Sequence, residues 1–188
     1  IPPFSPILIV VPSSLVENWT NELKLWGHFS VAIFRGSDRG LALERVRAGM
    51  DEILICGKGL FDSSSNSLNS VKWKLIVVDE FHEYKNGKTV AYNCVRKIKN
   101  SSRCPLVGLT GTVMQNKHKE LWYLVDLVQP GLLGDWKDFE KHTSIPIKHS
   151  RTKTAKDDVL DLGRRRQQEF FEVLKSVYLR RDKKIVLK

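Results

Sequence analysis

Short apolar runs recur along the chain and alternate with stretches in which apolar residues return every three or four positions. The runs are rich in Val, Ile and Leu, as expected of strands that are buried on both faces of a parallel sheet. The predicted strands are residues 6–12, 31–34, 53–56, 75–78 and 106–109. The predicted helices are residues 15–26, 40–48, 90–99, 119–128 and 164–179. This alternation predicts an α/β fold with a mostly parallel sheet flanked by helices.

Two adjacent carboxylates and a histidine follow the apolar run at residues 75–78. They are Asp79, Glu80 and His82. Ligands of α/β sheets bind at the carboxyl ends of the strands, which is where these side chains are expected. In phosphate-loop ATPases an Asp at this position holds Mg²⁺, and an adjacent Glu can orient and deprotonate the attacking water. Taken alone, a surface turn after a core strand accounts for the same residues.

A second polar turn follows the apolar run at residues 106–109. The sequence there continues as Thr-Gly-Thr and ends in the amide pair Gln115-Asn116. Gly111 allows a sharp turn of the backbone, and Thr110 and Thr112 offer hydroxyl groups to a ligand at the strand ends.

Local patterns add detail to the first half of the chain. Ser14 with Glu17 three residues later fits a capping box at the start of the first helix. Trp19 and Trp26 lie on the apolar stripe of that helix, so core packing is expected for both. Residues 62–70 are rich in Ser and Asn and predict a loop.

Gly87-Lys88-Thr89 resembles the end of a phosphate-binding loop but does not qualify as one. The motif requires Gly-x-x-x-x-Gly-Lys-[Ser/Thr] directly after a strand, and His82 occupies the position of the first glycine. The tripeptide is expected to be a turn that opens the following helix.

The last part of the chain is polar and basic. Residues 151–163 predict a mobile polar segment, and residues 164–179 predict an amphipathic basic helix. The inward stripe of that helix is expected to be Phe170, Phe171, Leu174, Val177 and Tyr178. From Lys148 onward thirteen basic residues face six acidic ones, a net charge of +7. Such a balance favours a polyanionic partner, although a solvated helical face explains it equally well.

Composition bounds the remaining possibilities. The chain has 188 residues, 41% of them hydrophobic, which suffices for one ordinary domain with a sizeable core. No apolar run approaches the length of a membrane span, so no membrane partner is expected. The three cysteines are widely spaced, which favours free thiols over a metal site or a disulfide.

The motifs together resemble one known family. DEFH at 79–82 and LTGTVMQN at 109–116 resemble motifs II and III of superfamily-two helicases in the Swi/Snf-type DNA translocase branch, which usually have DEGH or DEAH and LTGTPLQN. PSSLVENWTNE at 12–22 resembles motif Ia, and LRRDK at 179–183 resembles the end of the first motor lobe. LWYLVDLVQPGLLG at 121–134 is most similar to the excision-repair cross-complementing-like (Cockayne syndrome B-like) group.

This resemblance implies a fold, a function and partners. Residues 1–130 would form part of a RecA-like first lobe, and residues 131–188 a helical insertion and a basic C-terminal helix of the same lobe. The lobe would couple hydrolysis of ATP, with Mg²⁺, to movement along double-stranded DNA. Nucleosomes or repair proteins would be further partners, and the nucleus the expected location.

The resemblance also implies roles for single residues. Asp79 would hold Mg²⁺ through its water shell, and Glu80 would be the general base. The residues that would couple the nucleotide site to DNA are His82, Thr110, Gly111, Thr112 and Gln115. The residues that would bind DNA are Pro12, Ser13, Ser14, Lys58, Arg180 and Arg181.

The chain departs from the family pattern in several ways. Phe81 stands where Gly or Ala is usual, and a bulky side chain beside the two carboxylates would either crowd the site or alter its coupling. Cys56 and Gly57 replace the Thr or Ser pair of motif Ib, which leaves Lys58 to contact DNA through its charge. The 188 residues contain no phosphate-binding loop and no arginine finger, so this chain alone is expected not to hydrolyse ATP at a useful rate.

Two other function classes stay open. One is a non-catalytic module that binds DNA or a protein partner and derives from such a motor. The other is a different superfamily-two motor, such as an RNA helicase, which usually has Ser-Ala-Thr as its motif III. Binding to duplex DNA, single strands and RNA would separate these classes.

Overall fold

The structure is a computed structural model and describes residues 5–111 and 117–181. The chain divides into two compact units, Ile1–Gln115 and Asn116–Lys188. Residues 1–130 are predicted to form part of a RecA-like lobe, and residues 131–188 a helical insertion and a basic C-terminal helix of the same lobe. This assignment of the segments stays a prediction.

The first unit is built on a five-stranded parallel sheet with the strand order β2-β3-β1-β4-β5. The strands are β1 (Ile7–Val11), β2 (Val31–Phe34), β3 (Ile53–Gly57), β4 (Leu75–Val78) and β5 (Leu106–Gly108). In the centre of the sheet, Ile9 of β1 lies level with Ile55 of β3 and with Val77 of β4. All five strands lie where the apolar runs predicted them.

Helices connect the strands of the first unit. They are α1 (Val16–Trp26), α2 (Arg39–Arg47), α3 (Lys58–Ser63), α4 (Ser65–Leu68) and α5 (Val90–Ser102), with 3-10 helices at Ser13–Leu15 and Phe81–Tyr84. One core cluster joins Ile9 and Ile55 of the sheet to Val16 of α1, with Trp19 packed against it. Neighbouring strand residues that point to the other face are buried as well, such as Leu8. The central strands are therefore covered on both faces.

The start of α1 differs from the predicted capping box. A 3-10 turn at Ser13–Leu15 precedes the helix, and no side chain caps it. Glu17 instead pairs with Arg35, with its Oε1 atom 3.2 Å from Nη1. Trp26 is also not in the core, since 79% of it is exposed.

The loop predicted at residues 62–70 is wrong. Most of this segment is helical, in the end of α3 and in α4. Buried apolar side chains in and beside the segment decide the outcome, because Phe61 and Leu68 are fully buried and Trp73 Nε1 donates a hydrogen bond to the carbonyl of Leu68. Burial of these side chains outweighs the weak helix propensity of Ser and Asn.

The turn predicted at Gly87-Lys88-Thr89 is confirmed as the opening of a helix. Thr89 is the N-cap of α5, and its hydroxyl oxygen accepts a hydrogen bond from the backbone N–H of Tyr92. A side-chain cap of this kind satisfies one of the amide groups left free at a helix start.

The second unit is helical. Its elements are α6 (His118–Val128), α7 (Trp136–Phe139), a π-helix at Glu140–Ser144, α8 (Ile145–His149) and α9 (Asp157–Leu174). The rings of Phe139 and Phe170 meet edge to face with their centroids 5.2 Å apart, and Ile147 is buried. His118 is buried beside Ser144, and the desolvation of its ring lowers its pKa.

Helix α9 does not have the predicted bounds. It begins at Asp157 rather than at residue 164, so half of the segment predicted to be mobile is helical, and it ends at Leu174 rather than at residue 179. Phe170 and Leu174 are buried as predicted, but 48% of Phe171 is exposed. No helix among residues 5–111 and 117–181 is long and apolar enough to cross a membrane.

Gly163 lies where α9 packs against α8 and the residue that follows it. A Cβ atom on Gly163 would lie 2.2 Å from the Cβ atom of Ser150 and 3.1 Å from the carbonyl oxygen of Pro146. Gly163→Ala is therefore expected to lower the free energy of unfolding by about 1–3 kcal/mol, because overpacking outweighs the better helix propensity of Ala. Urea denaturation followed by circular dichroism measures this change.

The matched control for this prediction is Gly40→Ala in α2. Nothing lies within 4 Å of a Cβ atom on Gly40. The same substitution near the start of α2 should leave the free energy of unfolding unchanged or raise it by up to about 0.5 kcal/mol. Equal stabilisation at both positions would contradict the close packing of α8 against α9.

Candidate functional site

The carboxyl ends of the parallel strands bring several polar segments of the first unit to one edge of the sheet. The loop that starts at Pro12 follows β1, Asp79 and Glu80 follow β4, and Thr110 follows β5 closely. Because β1, β4 and β5 are neighbours, these segments are adjacent at the edge where α/β sheets bind ligands.

Asp79 is held by two hydrogen bonds to its carboxylate. Its Oδ2 atom accepts from the indole Nε1 of Trp19 at 3.0 Å, and its Oδ1 atom accepts from the backbone N–H of Glu80 at 2.8 Å. The backbone N–H of Asp79 donates to the carbonyl of Val10 at 2.8 Å, which extends the pairing of β4 with β1. The carboxylate is thus fixed at the edge of the sheet from two directions.

Glu80 makes the turn that leaves the sheet. Its backbone is left-handed, with φ 49° and ψ 46°, and a non-glycine residue in this region costs about 1–3 kcal/mol. This left-handed conformation turns the chain into the 3-10 helix at Phe81–Tyr84, and 44% of the Glu80 side chain is exposed. A solvent-accessible carboxylate on a strained turn is typical of a functional position.

His82 links Glu80 to the next strand. Its Nδ1 atom lies 3.2 Å from Oε2 of Glu80 and 3.1 Å from Oγ1 of Thr110. With a proton on Nδ1, the imidazole can donate to the carboxylate of Glu80 or to the hydroxyl of Thr110. The imidazole therefore ties the carboxylate after β4 to the hydroxyl after β5.

Phe81 does not crowd the carboxylates as its size predicts. Its ring is 5% exposed and stacks on Tyr84 with the centroids 6.0 Å apart. On β5 it lies directly over Gly108, where a Cβ atom would be 2.3 Å from two ring carbons. Gly108 thus makes room in the core for the ring, and Glu80 keeps its access to solvent.

The loop after β1 presents hydroxyl groups to solvent. Ser13 and Ser14 are both exposed, while Pro12 is partly buried. Ser13 packs against Gly57 at the end of β3, where a Cβ atom would lie 2.9 Å from its hydroxyl oxygen. Glycine at position 57 leaves room for the Ser13 hydroxyl in this position.

Lys58 has partners within the protein. Its ammonium group pairs with the carboxylate of Glu83 and lies 5.2 Å from the ring centroid of Tyr84. Desolvation lowers the pKa of Lys58, although the nearby Asp62 opposes this shift. A phosphate at Lys58 would have to compete with Glu83, so its contact with DNA stays a prediction.

The other predicted site residues are placed as follows. Gly111 is exposed after β5, and Arg180 and Arg181 are exposed at the end of the second unit. Thr112 and Gln115 lie outside the described residues.

Two residues that matter at this site were not among the predicted ones. The helical pattern predicts core packing for Trp19, and its indole N–H in addition holds Asp79. Gly108 was expected to be an ordinary strand residue, yet it makes room for Phe81. The presence of Trp19 in the motif Ia pattern was the available indication for the first, and the unusual Phe81 for the second.

The donor set suits a magnesium ion that is shared with a ligand. In the part of the chain that the structure describes, no group of three or more His, Cys, Asp or Glu side chains is placed to hold a metal ion. Mg²⁺ usually takes one or two carboxylates together with water and substrate phosphates. Asp79, whose oxygens each accept only one of the observed hydrogen bonds, fits that kind of binding.

Comparisons with known proteins agree on one family. A family model described as SNF2-related domain matches residues 3–188. Over 179 residues the chain is 35% identical to Switch 2 of Arabidopsis thaliana, covering 95% of this chain and 20% of that protein. It is 36% identical over 179 residues to the DNA excision repair protein ERCC-6-like 2 of Mus musculus, covering 95% of this chain and 12% of that protein.

A solved structure has the same fold. It is the Sulfolobus solfataricus SWI2/SNF2 ATPase core in complex with dsDNA, with a TM-score of 0.73 and 28% identity, covering 97% of this chain and 35% of that chain. The DNA repair and recombination protein RAD54B of Homo sapiens is 30% identical over 188 residues, covering all of this chain and 20% of that protein. The chain thus spans a fifth or less of the length of these curated relatives.

Proposed function

This chain belongs to the SNF2-related domain family, and on that premise we propose that it carries the hydrolytic carboxylates of an ATP-dependent translocase on double-stranded DNA. The observation that carries the proposal is the linked arrangement of Asp79, Glu80, His82 and Thr110 at the carboxyl edge of the sheet. Members of this family are helicase-like ATPases, so the family itself supports nucleotide hydrolysis.

Each residue of the site has a chemical task under this proposal. Asp79 holds Mg²⁺ through bound water, and the ion when present neutralises charge on the nucleotide phosphates. Glu80 orients the attacking water and accepts its proton, for which an exposed carboxylate on a fixed turn is suited. His82 keeps the Glu80 carboxylate oriented through its Nδ1 proton.

The contact between His82 and Thr110 connects the site to the turn that follows β5. Thr110 follows β5, and its hydroxyl shares the Nδ1 atom that orients Glu80. A shift of the turn at residues 109–111 would therefore change how firmly the general base is held. This is the coupling role that we assign to His82, Thr110 and Gly111.

Double-stranded DNA is the proposed polyanionic partner. Exposed hydroxyl groups at Ser13 and Ser14 and exposed guanidinium groups at Arg180 and Arg181 suit phosphate oxygens, and the net charge of the chain is +10. The solved relative was obtained with dsDNA. Because several relatives are named as DNA repair proteins, we place the protein in the nucleus, with nucleosomes or repair proteins as further partners.

The isolated chain is a poor catalyst under the same proposal. Its 188 residues contain no Gly-x-x-x-x-Gly-Lys-[Ser/Thr] loop to neutralise the phosphates. In related phosphoryl transfers an arginine finger contributes a further factor of about 10³–10⁵ to the rate. We therefore expect these 188 residues alone to hydrolyse ATP slowly.

The test is ATP hydrolysis by the full-length protein with duplex DNA, single-stranded DNA and RNA. We expect duplex DNA to give the largest stimulation and duplex binding to weaken steeply with salt, because phosphate contacts release counterions. Preference for RNA would instead identify a different superfamily-two motor. Duplex binding without hydrolysis would identify a non-catalytic module and overturn the proposal.

A further inference from the structure

We propose that Trp19 is a positioning residue for Asp79, which it ties to helix α1 and to the loop at Pro12–Ser14. The inference deepens the proposed function and rests on it, since it concerns the carboxylate assigned to Mg²⁺. Its basis is a hydrogen bond between two side chains that are 60 positions apart in the sequence, with Nε1 of Trp19 3.0 Å from Oδ2 of Asp79.

The indole is fixed in place by its surroundings. Trp19 lies in the first half of α1 and packs against the core cluster that contains Val11 and Ile55. Val77, two residues before Asp79, packs against the same cluster. The donor and its acceptor are thus both anchored in one part of the core, which holds the N–H at a constant place relative to the carboxylate.

The second donor completes the orientation. Oδ1 of Asp79 accepts from the backbone N–H of Glu80, and Oδ2 accepts from Trp19. Each carboxylate oxygen has two lone-pair sites, so each keeps one for water on a bound metal ion. Groups that orient a metal-binding carboxylate in this way alter metal affinity without touching the metal.

Trp19 also connects this carboxylate to the proposed DNA-binding loop. The backbone N–H of Leu15 donates to the carbonyl of Pro12 at 2.8 Å, and the 3-10 turn at Ser13–Leu15 runs directly into α1. Ser13 itself is packed against Gly57. Loop, turn and helix form one continuous segment, so a phosphate bound at the loop lies on the same element as the indole that holds Asp79.

A second tryptophan of the same helix provides the matched control. Nε1 of Trp26 donates to Oε2 of Glu22 at 2.8 Å, so it too binds a carboxylate. That pair lies on the exposed surface, with 79% of Trp26 accessible to solvent. Trp26→Phe thus removes the same kind of hydrogen bond without touching Asp79.

The test is the Mg²⁺ dependence of nucleotide binding by the full-length protein, measured with a fluorescent ATP analogue. Trp19→Phe keeps an aromatic ring in the core and removes the N–H. It should raise the Mg²⁺ concentration needed for half-maximal binding by roughly tenfold or more, the usual effect of losing a group that orients a metal ligand. High Mg²⁺ should restore binding, and Trp26→Phe should behave like the unchanged protein.

Duplex DNA supplies a second readout. If DNA bound at the loop affects Asp79 through Trp19, duplex DNA should change the Mg²⁺ dependence of nucleotide binding in the wild-type protein and in Trp26→Phe. It should not change that of Trp19→Phe. Should Trp19→Phe fail to fold, a tryptophan analogue with sulfur in place of the indole N–H provides the same deletion with nearly the same shape.

The outcomes separate the two proposals. If the wild-type protein shows no Mg²⁺-dependent nucleotide binding, the proposed function is contradicted, and this inference with it. If the wild-type protein binds nucleotide with Mg²⁺ and a folded Trp19→Phe variant has the same Mg²⁺ dependence, only the positioning role of Trp19 is overturned.

Discussion

Replacement of Glu80 with Gln is expected to slow ATP hydrolysis by the full-length protein by about 10²–10⁴-fold, the usual contribution of a general base. The amide has the shape of the carboxylate but cannot accept a proton from water. It can still accept a hydrogen bond from Nδ1 of His82, and 44% of the Glu80 side chain is exposed, so the fold should persist. Single-turnover hydrolysis with saturating nucleotide and duplex DNA measures the chemical step.

Glu83→Gln is the matched control for this prediction. Glu83 lies three residues further on and is similarly exposed at 41%, but its carboxylate pairs with Lys58 rather than with His82. Its replacement should leave the chemical step nearly unchanged. Nucleotide binding should survive in both variants. A Glu80→Gln protein that hydrolyses ATP as fast as the Glu83→Gln protein would remove Glu80 from the role of base.

The strand positions could be predicted because each strand is a run of apolar residues that can be recognised without knowing its neighbours. Val and Ile cluster in β1, β3 and β4, and a run buried on both faces needs no polar alternation. The RecA-like fold with a parallel sheet is confirmed by the likeness to the SWI2/SNF2 ATPase core. The resemblance to the Swi/Snf-type branch, drawn from the motifs, is confirmed by the family match over residues 3–188.

The errors in secondary structure come from polar segments whose conformation is decided by a few buried side chains. Ser and Asn dominate residues 62–70, yet the burial of Leu68 makes most of the segment helical. The start of α9 at Asp157 was missed because acidic residues precede its apolar stripe. Acidic side chains in a first turn are favourable to a helix through its dipole, so this part of the pattern was available in the sequence.

The candidate site was partly predictable for a similar reason. Asp79 and Thr110 follow strands that were identified from their own residues, and parallel strands end at one edge. The hydrogen bond from Trp19 was not predictable, because periodicity places a side chain on a helix face but does not say what its polar atom meets. Only the tertiary structure brings this indole to a carboxylate 60 positions away.

The pair formed by Phe81 and Gly108 is complementary in shape, and it leads to the second large effect. Gly108→Ala is expected to lower the free energy of unfolding by about 1–3 kcal/mol, because the new Cβ atom would lie 2.3 Å from the Phe81 ring. The backbone N–H of Phe81 donates to the carbonyl of Leu109, so a displaced ring also disturbs the turn that carries Glu80. Urea denaturation and the rate of ATP hydrolysis should both reveal the change.

A double-mutant cycle shows whether Gly108→Ala destabilises the protein through the Phe81 ring or because β5 tolerates no substitution. Phe81→Ala alone should cost about 3–5 kcal/mol through the cavity that it leaves. With the ring removed, the three atoms nearest to a Cβ at position 108 are gone, so the double variant should be more stable than the sum of the single effects by at least about 1 kcal/mol. Gly59→Ala in α3, where nothing lies within 4 Å of a Cβ atom, should not destabilise the protein. Strict additivity of the two substitutions would mean that the space at Gly108 is not what admits Phe81 beside the two carboxylates.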